Sequence, residues 1–108
     1  MNDRELLELA AKAATYEYEC TSHTGYPKDD QHQIRAESGS LMEWNPLTDN
    51  GDALRLAVKL SLLFGISEDY EMVRDLYREE LTNDLRPSEA TRRAIVRAAA
   101  EIGKAKEK

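Results

Sequence analysis

Cysteine is all but missing from this sequence. Cys20 stands alone among 108 residues, so no internal disulfide can form and a small disulfide-stapled scaffold is excluded. Long apolar runs are missing too. A stretch such as Leu62-Leu63-Phe64 falls far short of the ~20 residues that span a bilayer. The five glycines are scattered, and neither G-x-x-x-x-G-K-[ST] nor G-x-G-x-x-G occurs, so no phosphate cradle can be assigned. G-x-S-x-G is absent, as is any paired-carboxylate signature, which leaves hydrolytic readings unsupported. The opening MNDRELLELAAKAA places acids where a secretory signal needs a basic start. Together with the lone thiol, this gives the expectation of a reducing cytoplasm and no membrane association.

What is present suits one α+β domain spanning residues 1–108. The hydrophobic fraction, 41%, is enough for a core, and the charged fraction, 33%, demands an ionic surface. The net charge of −6 is unevenly spread. Residues 86–108 hold seven Lys/Arg against three Asp/Glu, while residues 1–85 hold eight against eighteen. An acidic body therefore ends in a basic helix. Acidic surfaces repel nucleic acid at long range, and a basic helix face is more often solvated than functional.

Periodicity orders the elements. Asn2 precedes a helix over residues 3–14, with Glu5 three places on as in a capping box and Leu6, Leu9, Ala10 and Ala13 on one stripe. Residues 15–20 alternate with Tyr16 and Tyr18 in phase, which reads as a half-buried strand. A polar loop over 21–32 contains the turn signal Gly25-Tyr26-Pro27. Gln33-Ile34-Arg35 and Leu41-Met42-Glu43-Trp44, separated by a turn at 37–40, form a hairpin. Asn45-Pro46 breaks the strand. Thr48, Asp49 and Asn50 offer caps for a helix to about Leu60, whose Ala53, Leu54, Ala57 and Val58 share a face. Residues 62–66 read as a strand. Over 70–81 the pattern favours a helix, although Val73, Asp75 and Tyr77 also fit one face of an edge strand. Pro87 suits the first turn of a last helix over 88–102, with Gly103 as its stop and 104–108 as a frayed tail. Its Ile95, Ala98 and Ile102 are expected against the sheet, and Arg92, Arg93 and Arg97 mainly in solvent.

Three segments together resemble a family of small phage and prophage proteins with the phage ABA sandwich domain: MNDRELLELAAKAA, EWNPLTDNGDALRLAVKL and ATRRAIVRAAAEIGKA. They lie in the family's order and cover somewhat under half of the chain. The resemblance implies an antiparallel sheet of two hairpins, about four strands, as a single layer between helices, of which three are expected here. It also implies a strand at 71–78 in place of the helix that periodicity favours, and the expectation follows the resemblance. The loop at 21–33 and the segment 61–85 depart from the family pattern. The family contributes no catalytic residues.

Candidate sites are few. Cys20, His23 and His32 are three soft ligands where zinc needs about four N or S ligands at defined spacing; Asp29 or Asp30 could supply a fourth, but a polar loop that happens to hold two histidines explains them better, and a Cys–His nucleophile lacks an orienting group. No metal or cofactor is therefore expected. Trp44 could be an exposed anchor beside Asp49 and Asp52. The same segment is also explained as strand end, turn, helix cap and first-turn acid. Arg92, Arg93 and Arg97 could meet a partner. The expectation is a non-enzymatic phage accessory protein in the bacterial cytoplasm that binds a protein. The alternatives are nucleic-acid binding by the basic helix, or an acidic antagonist of a defence system.

Overall fold

A computed structural model describes residues 2–21, 31–35, 39–62 and 68–106. Four helices accompany a three-stranded antiparallel sheet in the order of the chain: α1 (Asp3–Ala13), β1 (Glu17–Thr21), β2 (Gln31–Arg35), β3 (Leu41–Glu43), α2 (Asn50–Lys59), α3 (Glu68–Leu81) and α4 (Pro87–Lys106). The fold is α+β, as expected. Its element count is not: among the described residues the sheet has three strands, not four, and there are four helices, not three. Of the expected strand at 62–66, residues 63–66 lie outside the described ones.

Capping chemistry sets the helix starts. The Asn2 side chain accepts from the Glu5 backbone N–H at 2.8 Å, and Asp49 accepts from that of Asp52 at 2.8 Å. Two helix ends share one device. After α1, Tyr16 N–H reaches Ala11 O and Thr15 N–H reaches Lys12 O. After α2, Leu62 N–H reaches Ala57 O and Ser61 N–H reaches Val58 O. This Schellman pattern needs a left-handed residue, and Thr15 (φ 61°) and Ser61 (φ 56°) adopt it in place of glycine.

The register pairs Tyr18 with Ile34 and Cys20 with His32, and Ile34 with Met42. Alternation puts these side chains on the core side. Glu17, Glu19, Gln31, Arg35, Leu41 and Glu43 occupy the opposite face and are exposed. Among the described residues, then, the helices cover one face of the sheet and no sandwich forms.

The expected strand over 71–78 is corrected to helix α3. Met72, Val73 and Leu76 pack against the core at helical spacing, so the periodic reading prevails over the resemblance. The placement of α4 is corrected as well. It packs against α1, α2 and α3 instead of lying on the sheet, and buries Ala90, Ala94, Ile95, Val96, Ala98, Ala99, Ala100 and Gly103. A helix so rich in small residues is apolar around most of its girth, which suits a central position. Gly103 does not stop it. The helix continues to Lys106, whose ammonium donates to Ala13 O at the C-terminus of α1 at 2.8 Å. No described helix is long and apolar enough to cross a membrane.

Candidate functional site

The segment from Trp44 to Asp52 was the most informative in the sequence, and it organises the part of the surface that lies between β3 and α2. Trp44 is 3% exposed and meets Tyr16 and Tyr18 edge-on, with ring centroids 5.9 and 6.2 Å away. It is a core residue, so the exposed-anchor reading is corrected: the strand ends by directing the indole inward. Asp49 caps α2. Asp52, also buried, accepts from the Asn45 backbone N–H at 2.9 Å and from the Arg55 guanidinium at 2.6 Å. The Asp52 hydrogen bond holds Arg55 above its already high ordinary pKa.

This capping network sets the rotation of α2. Asp52, Ala53, Leu56 and Ala57 turn inward, while Leu54 and Val58 remain 55% and 59% exposed. The expected apolar face is thereby split, because a buried carboxylate with two donors takes a place that sequence periodicity assigns to leucine.

Two clefts of about 500 Å³ flank Trp44 and Asp52. One is lined by polar groups, including His32, Glu43, Asn45, Thr48 and Asp49. The other has Tyr16, Ile34, Met42 and Trp44 as its apolar lining, with Arg35, Arg55 and Lys59 around it. Lys59 Nζ lies 4.6 Å from the Tyr16 ring centroid, a cation–π distance.

Cys20, His32 and Tyr18 share the core-facing side of the sheet. The Tyr18 hydroxyl and His32 Nδ1 are 2.6 Å apart. Burial, reinforced by Cys20, raises the Tyr18 hydroxyl above its ordinary value. His23, Asp29 and Asp30 lie outside the described residues. Among those described, no group of three His, Cys, Asp or Glu side chains is arranged to hold a metal ion.

The arginines of α4 are committed elsewhere. Arg92 donates to Leu47 O at 2.9 Å and to Asn50 Oδ1 at 2.7 Å. Arg93 reaches Asp3 at 3.2 Å and Glu80 at 3.8 Å, and Arg97 reaches Glu80 at 2.7 Å and Glu79 at 3.3 Å. Glu80 is buried between two guanidiniums. The expectation of mainly solvent-facing arginines is corrected, because all three are half-buried links from α4 to neighbouring segments. The signal missed in the sequence is the pair Glu79-Glu80 on α3, whose meaning depends on which helix it faces. Comparison with protein-family models, curated proteins and solved structures finds no match to this chain.

Proposed function

We propose that this chain is a non-enzymatic accessory protein of the small phage-encoded kind its three segments resemble. In this reading it works in the cytoplasm of a bacterial host and binds a protein through the side formed by β3 and α2. The observation that supports this is the placement of exposed large apolar residues. Met42 lines the cleft that carries Arg35, Arg55 and Lys59, and Leu41, Leu54 and Val58, the chain neighbours of its lining residues Met42, Arg55 and Lys59, are exposed. Large apolar residues left exposed around a charged cleft mark a candidate interaction site. The basic helix makes the weaker case, since Arg92, Arg93 and Arg97 already satisfy internal acceptors and would have to break those bonds to grip phosphates.

The test is affinity capture from infected bacterial cells with two baits, the native chain and a Met42→Glu/Leu54→Glu/Val58→Glu variant. All three sites are exposed, so the variant should stay folded. A specific protein retained by the native bait and lost from the variant is expected. Equal retention by both, or recovery of nucleic acid alone, would sink the reading.

A further inference from the structure

Helix α3 is attached to the fold differently from the other helices. α1 buries Leu6, Leu7 and Ala10, and α2 buries Ala53, Leu56 and Ala57. The apolar residues that α3 packs against the core, Met72, Val73 and Leu76, stay half-buried, and its Leu81 is exposed. Among the described side chains of α3, the buried one is a carboxylate, Glu80. Half-buried apolar groups gain only part of the free energy of full burial. An element held by few buried apolar contacts opens at a lower free energy than the whole fold.

What fastens α3 is largely ionic. Glu80 reaches Arg97 at 2.7 Å and Arg93 at 3.8 Å, and Glu79 reaches Arg97 at 3.3 Å. The two helices also attract as wholes, since α3 carries six acids against two bases and α4 five bases against two acids. The ion pairs sit at the C-terminal end of α3, beside a mostly exposed connection over residues 82–86. Thr82 and Asn83 donate their backbone N–H groups back to Glu79 O and Glu80 O, so this turn travels with α3. The left-handed Asp84, at φ 61°, lies just beyond it. The close contacts between α1 and α4 do not pass through α3: Gly103 lies against Leu9, and Lys106 donates to Ala13 O.

We infer that α3 is a displaceable clasp on α4. It leaves α4 as a unit while α1, α2 and α4 stay packed, and the Glu80 ion pairs set how often it does so. Each opening releases Arg97 and leaves Arg93 to Asp3 alone. The basic helix whose arginines are tied up in the closed fold is thus uncovered by a motion of one acidic helix.

The test is native-state hydrogen exchange of the full chain, followed by NMR amide by amide in low urea. The amides of Leu76, Tyr77 and Arg78 should share one opening constant, at least about ten-fold larger than that of Ala10 in α1 and Ala99 in α4. Their urea dependence should be the weaker one, because less surface is exposed when α3 leaves alone. Ala57→Gly weakens α2, which is intact on both sides of the α3 opening. It should speed the α1 and α4 amides about five-fold and leave those of α3 unchanged. Glu80→Gln should speed the α3 amides about ten-fold, the loss of one charge-assisted contact. Glu79→Gln, at an exposed pair, should change them less than about three-fold. Displacement of α3 is overturned if its amides are as protected as those of α1, or if Ala57→Gly speeds both alike, since the fold then opens as one unit. It is also overturned if α3 exchanges only from its ends inward with no shared constant, or if Glu80→Gln leaves its exchange unchanged. Should Ala57→Gly fail to fold, the native chain decides, and equal urea slopes for α3 and α1 overturn the clasp.

Discussion

Gly103→Ala isolates the closest contact in the fold. Helix propensity alone predicts a gain, since alanine is favoured over glycine by ~1 kcal/mol inside a helix. Geometry predicts a loss. A Cβ at 103 would overlap Leu9 O of α1 and lie 2.9 Å from Leu9 C and 3.3 Å from its Cα. These are backbone atoms and cannot rotate away, so α1 and α4 must separate. Separation would loosen a seam of small buried residues that includes Ala10 and Ala13 on α1 and Ala99 and Ala100 on α4. Overpacking of this kind typically costs 1–3 kcal/mol, and a backbone obstacle belongs at about 3. Subtracting the propensity gain leaves a net loss of about 2 kcal/mol, or roughly 8–16 °C in melting temperature for a domain of this size. Urea unfolding followed by the emission of buried Trp44 measures it. Gly51→Ala is the internal control. Its Cβ would meet the Asp49 carboxylate at 3.2 Å and the Arg55 guanidinium at 3.3 Å, side-chain ends that need give only a few tenths of an ångström, so it should cost less than Gly103→Ala. A Gly103→Ala protein as stable as the native one would show that the helices do not cross this closely.

Glu80→Ala should cost about 2–4 kcal/mol in urea unfolding, because it leaves Arg93 and Arg97 half-buried without their shared carboxylate. A loss below ~0.5 kcal/mol would mean that the network behaves as surface charge. Thr15→Gly should raise stability by about 0.5–1 kcal/mol, since a β-branched residue at φ 61° is strained and glycine is not. A neutral or negative result would place Thr15 outside the left-handed region. Burial raises the folded Tyr18 hydroxyl above the unfolded value of 10.0, so its stabilising contribution is whole below about pH 10 and is lost as pH rises further. The difference in tyrosinate absorbance between the native chain and Tyr18→Phe should therefore appear later than that of the remaining tyrosines, and an onset with them would refute the burial argument.

Local chemistry was legible from the sequence. The Asn2 and Asp49 caps, the strand positions of Tyr18, Ile34 and Met42, the break at Asn45-Pro46 and the start at Pro87 all depend on side chains acting within a few residues of themselves. The helical period over 70–81 was legible too, and it is the strand implied there by the family resemblance that does not form. Which side of each element meets which neighbour could not be read this way. Arg92, Arg93 and Arg97 look solvated on a helical wheel because the wheel does not show α3 and α1 bringing Glu79, Glu80 and Asp3 to them. Trp44 looks like an anchor until two tyrosines close around it. Leu54 and Val58 look buried until Asp52 claims the inner face of α2. Gly103 looks like a helix end until Leu9 occupies the space a side chain would need. Period and capping are set by neighbours in the chain, so the sequence alone determines them. Burial, ion pairing and close approach are set by neighbours in space, and only the packing of the elements against one another decided them.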